Sequence, residues 1–401
     1  MYKQILKNPI VLKLSFVQFL IYFGSWFSMV AIYTMVLNFK VPPVQNSLVA
    51  TMFYLPAMLG VINGAVVDKF ELKKFMSFVI AFELVFTSLF LSITSREQVY
   101  LLMFFIFLRT TCSFLFFTAQ MSLFPTITKD DKQLQTVNEL HSIIWSVTFA
   151  LGMSLGGIVV KLIGVYHTIM IDIGLFAIAL LIFLSIKLPK TKKQLHSIKK
   201  LIVDGFFYIT RHKTLPFLIL LHSSVALTSF DTIVNLLTDS YYKNIIAISL
   251  SIGFINGARA FGLMIGPFFL SKLVSKQNLY LLLFTQGAVI MIWSFFQKDF
   301  YASLFFIFFI GFFTTTLWSF TYTLIQKNTK KRYLGRVVAY NDMVFMFVTV
   351  MINFLSGYLY QKGISLGSWS FTLGVGFLIF GLVSYRKFSI SYFYKSTNPL
   401  D

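Results

Sequence analysis

Six ionisable side chains stand inside long uncharged stretches of this 401-residue sequence: Glu83, Arg109, Asp172, His222, Asp231 and Arg259. A charge in such surroundings needs a counter-charge, a water-filled cavity or a shifted protonation equilibrium, so these six are the first candidates for chemistry. Arginine stays charged whatever surrounds it. A carboxyl near it is pulled two ways, because an opposite charge favours the ionised form and burial favours the neutral one. A group balanced between those effects can exchange a proton for a cargo. The plainer expectation is a fixed internal ion pair. Glu83 and Asp231 are the candidates for such exchange. Asp172 falls nearer one end of its stretch, where water would reach it. His222 is of a type that titrates near neutral pH, or else it bridges two helices by a hydrogen bond. Tyr33, Tyr54, Trp318 and Tyr322 are polar-tipped aromatics in the same stretches. They are candidates to line an apolar cavity for a bulky apolar or cationic molecule, although with 49 phenylalanines present the ordinary fate of an aromatic here is to face lipid.

The elements that must position these groups are long apolar helices. The chain is 57% hydrophobic and 12% charged, with a mean hydropathy of +0.79, whereas a soluble globular protein is about 25% charged. Runs long enough to cross a hydrocarbon core of ~30 Å fall at 12–37, 47–67, 75–94, 99–121, 136–161 and 166–187, then at 214–238, 246–271, 278–297, 300–325, 335–360 and 367–386. This predicts an all-α membrane protein of twelve transmembrane helices in two sets of six. The organisation is a first bundle over 1–187, a basic linker over 188–213, and a second bundle with a short tail over 214–401.

Orientation follows from the basic residues, which concentrate on the cytoplasmic side of membrane proteins. With the N-terminus inside, 26 lysines and arginines are cytoplasmic and 6 external, and Arg109 and Arg259 complete the 34. Both termini are therefore expected in the cytoplasm, in a bacterial inner membrane. Lys3, Lys7 and Lys13 precede a long first span with no cleavage site, which reads as uncleaved. The net charge of +20 is accounted for by these loops and does not call for nucleic acid. The single cysteine, Cys112, excludes a disulfide framework and a cysteine metal cluster. No paired His/Asp ligand motif, nucleophile elbow or phosphate-binding glycine loop is present, which argues against an enzyme and against ATP coupling. No metal or cofactor is expected, and the chain is expected to act as a monomer.

The two halves repeat weakly. Gly60 and Gly64 recur as Gly262 and Gly266, Asn138-Glu139 as Asn341-Asp342, and Gly157 as Gly357, all at nearly one offset. Such parallel repeats are a feature of secondary transporters. Small residues four apart, as at Gly60 and Gly64, let a neighbouring helix approach closely. Glu139 and Asp342 are read as opening their helices, where a carboxylate favours the positive end of the dipole.

Between the second and third spans the sequence runs Gly64-x-x-x-Asp68-Lys69-Phe70-Glu71-x-Lys73-Lys74. On its own this is a positive-inside turn. It also resembles the cytoplasmic signature of the major facilitator superfamily, and Glu71, where many members have glycine, is similar to its drug and siderophore exporter branch. The 198–215 segment, with Asp204-Gly205, Tyr208, Arg211-His212 and Leu215, resembles that branch's link between halves, and its apolar spacing suits a helix along the inner membrane surface. Gln120 to Glu139 and Gln326 with Gly335-Arg336 match two further connections.

The resemblance implies a charge relay gating the inner face. Asp68 would meet the start of the eleventh span near Gly335-Arg336. Leu72 stands where an arginine is usual, so Lys73 or Lys74 would carry the basic part and find an acid such as Glu139. Arg109 matches the basic residue of a helix-4 motif associated with proton relay, while Cys112 and Ser113 replace its usual Gln and Gly. The expected function is proton-coupled efflux of amphipathic small molecules by alternating access, with protons, a small-molecule substrate and the bilayer as partners. The alternatives are a lysophospholipid-type flippase and, outside transport, a membrane enzyme or sensor.

Overall fold

The structure is a computed structural model and describes residues 5–67, 69–189 and 198–390. Every described regular element is helical. The chain divides into two compact units. Unit 1 holds Met1–Val41, Leu48–Asp204 and Ala247–Gly257, and unit 2 holds Pro42–Ser47, Gly205–Ile246 and Ala258–Asp401.

In unit 1, α1 (Pro9–Asn38) begins where the Asn8 side chain accepts the Ile10 N–H and Pro9 fixes the first turn. Nearly every residue from Phe27 to Leu37 is buried, so this helix is the axis of its unit. It packs against α6 (Asp131–Ile163) and α7 (Val165–Ser185), while α4 (Leu72–Leu89) lies against α5 (Val99–Ile127) and α7. Glycine makes the α1–α6 contact possible. A Cβ on Gly152 would stand 2.7 Å from that of Trp26, and one on Gly156 would meet the Phe27 carbonyl at the same distance. Gly164, at φ +87°, joins α6 to α7 in the left-handed region that costs other residues about 1–2 kcal/mol.

The second span, expected as one helix over 47–67, is broken. It runs as α2 (Pro43–Met52), a 3-10 turn (Leu55–Leu59) and α3 (Gly60–Val67). Pro56 lacks the N–H that a continuous helix would use and sits instead at the start of the tight turn, where none is needed. For that reason eleven helices among the described residues are long and apolar enough to cross a membrane, and the twelfth span is this segmented one.

Unit 2 contains α8 (Ile198–Thr210, from Gly205 on), α9 (Leu215–Ser223), α10 (Asp231–Ser240), α11 (Ile248–Leu270, from Ala258 on), α12 (Leu279–Phe296), α13 (Phe300–Lys327), α14 (Leu334–Gln361) and α15 (Leu366–Ser384). The seventh span, also expected as one run, is interrupted between α9 and α10 by a 3-10 turn at Ser224–Thr228. Gly262 and Gly266 seat α11 directly on the backbone of α13 at Phe308 and Phe312. Gly60, their repeat counterpart, has open space where a Cβ would project. The close approach expected at Gly60 is thus corrected: the described structure makes it in the second half. The linker helix α8 docks on the start of α14, with Tyr208 stacked on Tyr333 at 4.1 Å and Gly205 against Arg336 and Tyr340.

Glu139 and Asp342 do not open their helices. α6 starts at Asp131, capped by Asp130, whose carboxylate accepts the Gln133 N–H at 2.7 Å, and α14 starts at Leu334. Both acids lie about two turns inside, beyond the reach of the free N–H groups, so the capping reading is corrected.

Candidate functional site: a buried charge cluster in unit 1

Three helices bring Glu83, Arg109 and Asp172 together. The Arg109 Nη2 of α5 donates to Asp172 Oδ2 of α7 at 2.8 Å, with side chains 2% and 0% exposed. Two serines one turn apart on α1 complete the guanidinium's shell, Ser28 at 3.0 Å and Ser25 at 3.4 Å. Its Cζ lies over the rings of Phe176, 5.3 Å from the centroid, and Phe90, at 5.7 Å. A fully buried guanidinium is tolerable only with this combination of an opposite charge, hydroxyl acceptors and aromatic faces.

Asp172 is therefore not the water-exposed group that its position near the end of the span suggested. Gly24 explains how it fits: a Cβ there would occupy the place of Asp172 Oδ1. The helix α1 has a notch at Gly24 into which the carboxylate sits.

Glu83 of α4 is also 0% exposed. Its Oε1 accepts the Ser113 hydroxyl, and Oε2 is buried with no partner among the described residues. The difference between the two carboxyls is the central fact of the site. Asp172 neutralises the arginine, and Glu83 is left with a single neutral donor. The sequence had no means of deciding which acid takes Arg109. Ser113, a departure from the family pattern, turns out to be the partner of Glu83, and its four-residue spacing from Arg109 places both on one face of α5. Ser25, Ser28 and Gly24 were not singled out, although their spacing on α1 was there to be read.

The other candidates fall elsewhere. Tyr33 is buried against Phe53, 5.5 Å between centroids, and Tyr54 is half-buried at the break in the second span. In unit 2, Asp231 is the first residue of α10 and 6% exposed. The neighbouring Thr232 gives both its N–H and its hydroxyl to Asn353 Oδ1 of α14 at 3.1 Å. Arg259 is half-buried on α11, with Nε lacking a partner among the described residues and its carbonyl closely approached by Gly311. His222 bonds Thr321 across α9 and α13 through Nδ1 at 2.9 Å and packs on Trp318 and Tyr322.

Of the gating residues, Asp68 lies outside the described residues, as does the burial of Gly64. Lys69 is exposed. Lys74 pairs with Glu71 at 3.3 Å on the surface. Lys73 donates to the Phe183 carbonyl and to those of Ile186, at 2.8 Å, and Leu184, at 3.1 Å. Of the two lysines expected to find an acid such as Glu139, Lys74 meets Glu71 instead, while Lys73 closes the end of α7, where a cation meets the unpaired carbonyls and the negative end of the dipole. Glu139 accepts from Gln135 Nε2 at 2.9 Å. Gly335 has open space around it, Arg336 lies over the Tyr333 ring at 5.4 Å, and Asp342 accepts from Asn341 Nδ2 at 3.1 Å.

Comparison with known proteins gives a consistent picture. Residues 14–352 match the family model described as Major Facilitator Superfamily. No curated protein matches the sequence. Among solved structures, the nucleoside transporter NupG is similar over 96% of this chain and 99% of its own, with a TM-score of 0.70 at 15% identity. A variant of the peptide transporter POT in complex with sulfate covers 93% and 94%, with a TM-score of 0.74 at 12% identity. A bacterial homolog of the human lysosomal transporter Spinster, inward-facing and unoccupied, covers 95% and 97%, with a TM-score of 0.69 at 12% identity. At these identities the likeness is one of fold.

Proposed function

The chain belongs to the major facilitator superfamily and is a multi-pass membrane transporter rather than an enzyme, and from that premise we propose that it is a proton-driven exporter of amphipathic small molecules of drug or siderophore type, working by alternating access. The observation that carries this reading is the unequal treatment of the two buried acids. Asp172 neutralises Arg109 through one carboxylate oxygen, so it cannot take up a proton without leaving the guanidinium uncompensated in an apolar interior, even though its other oxygen, like Glu83 Oε2, has no partner among the described residues. Glu83 can: its protonation breaks no ion pair, and its bare Oε2 is free to take the proton. Glu83 is the coupling residue in this proposal, Ser113 holds it, and the Arg109–Asp172 pair is the fixed charge beside it. The pull of Arg109 on an ionised Glu83 and the cost of burying that charge oppose each other, which is the balance a coupling carboxyl requires.

The test is a proton-movement assay in inverted vesicles carrying a pH dye. Addition of lipophilic compounds is expected to dissipate the gradient with the wild-type protein and not with Glu83→Gln, while Asp231→Asn retains the response. If no compound moves protons in the wild type, proton-coupled export of this class is wrong. A normal response from Glu83→Gln would remove Glu83 from the role and leave the class standing.

A further inference from the structure

Unit 2 holds a second cluster that the coupling chemistry does not use. Trp318 and Tyr322, one turn apart on α13, stack with centroids 4.9 Å apart and planes at 17°. His222 of α9 backs the pair, its ring 5.5 Å from Trp318, 5.4 Å from Tyr322 and 5.4 Å from Phe345 of α14. The Thr321 bond to Nδ1 fixes that imidazole, and its Nε2 is buried with no partner among the described residues. Asp342 lies one turn before Phe345 on the same face of α14, which brings it to the side of the cluster. Its bonded neighbour is the amide of Asn341, and among the described residues no lysine or arginine pairs with it.

These features have one chemistry in common. Asp342 is half-buried in a membrane-spanning helix yet pairs with no lysine or arginine among the described residues. A carboxylate there cannot face hydrocarbon cheaply, so its open side meets water or a positively charged ligand. Trp318 is 39% exposed, which leaves part of a large ring uncovered. Aromatic faces attract cations lying within about 6 Å of the ring centre, and they also take apolar bodies. Tyr322 and Asp342 lie within about two turns of the ends of α13 and α14 that adjoin the basic segment from Lys327 to Arg336. The charge bias assigns those ends to the cytoplasm, the side on which an exporter loads.

Building on the proposed export function, we infer that Asp342, Trp318 and Tyr322 form a binding site for an amphipathic organic cation. The stacked rings receive the flat or alkyl-rich body, Asp342 receives the positive charge, and His222 with Phe345 holds the rings in place. The site gives the exporter a charge preference that an apolar cavity alone would lack.

The experiment is equilibrium binding of radiolabelled tetraphenylphosphonium to the purified full chain in detergent, with uncharged triphenylphosphine oxide as a comparison ligand. The wild type is expected to bind the cation. Asp342→Asn should weaken cation binding about tenfold, the loss of roughly one close charge interaction, and leave the uncharged ligand unchanged. Trp318→Leu should weaken both ligands, and Trp318→Phe should retain them. Equal cation affinity in Asp342→Asn and wild type, or no cation binding by the wild type, would overturn the site. Should Asp342→Asn not yield monodisperse protein, the Trp318→Phe and Trp318→Leu pair decides, since indistinguishable cation affinities would exclude the aromatic platform. Failure of this site is distinct from failure of the export reading. Compound-driven proton movement by uncharged substrates with no cation binding removes only the site, whereas cation binding without any proton movement removes only the coupling.

Discussion

At the scale of residues, the two buried acids of unit 1 differ in what their loss should do. Asp172→Asn strands a buried guanidinium, and stranding one member of a buried pair costs about 3–5 kcal/mol. Glu83→Gln keeps a side chain that can still accept from Ser113, so its stability cost should be about 1 kcal/mol or less. Thermal unfolding of the purified variants checks the ordering, and equal losses would show that the ion pair is not as drawn. Gly24→Ala should resemble Asp172→Asn, because its Cβ takes the place of the carboxylate oxygen. Tyr242, in the loop after the seventh span, gives a pH-dependent case. Its hydroxyl donates to the Gln297 carbonyl and is 2.6 Å from Ser303 Oγ. Burial, with Asp299 adding to it, raises its ionisation above the ordinary tyrosine range. A raised acid stabilises the fold below its unfolded value of about 10 and loses that contribution as pH climbs past it. Wild-type stability should therefore fall steeply above that pH, and Tyr242→Phe should flatten the fall while being less stable near neutrality.

At the scale of elements, the interrupted seventh span is held from outside itself. The start of α10 exposes N–H groups that no residue of its own helix can accept, and Asn353 of α14 accepts that of Thr232. Asn353→Leu should cost about 1–3 kcal/mol, the penalty of leaving a buried donor unmade. A fall in unfolding temperature checks it, and an unchanged one would show that the break needs no such support. Apolarity predicted a crossing over 214–238 but not its interruption, because the run Ser223, Ser224, Thr228, Ser229 is compatible with helix and the partners of the break, Asn353 and Thr349, come from α14. The second span broke for a local reason that could be read, Pro56, and the seventh for a tertiary one that could not.

At the scale of the whole molecule, the positive-inside count makes a prediction independent of any side-chain contact. On a Cys112→Ser background, cysteines replacing Lys40 and Lys362 should react with a membrane-impermeant maleimide in intact cells. Those replacing Lys213 and Lys327 should react only after permeabilisation. Reaction of all four from outside, or the reverse pattern, would overturn the assigned orientation. The repeat that the glycines suggested has a physical counterpart within each unit: a Cβ on Gly157 would lie 2.6 Å from the Ser249 carbonyl, and one on Gly357 would meet Pro43 and Ser47.

What the sequence determined by itself was everything set by transfer between water and lipid: the number of crossings, the helical class, and which groups are too costly to be there without a purpose. That follows because hydropathy and charge act span by span. Partner choice was decided only by the tertiary structure. Arg109 is within reach of acids on two helices, and the notch at Gly24, the serines of α1 and the ring of Phe176 together select Asp172 and leave Glu83 with Ser113. Such a choice depends on how three helices face one another in space, and no periodicity along one chain records it.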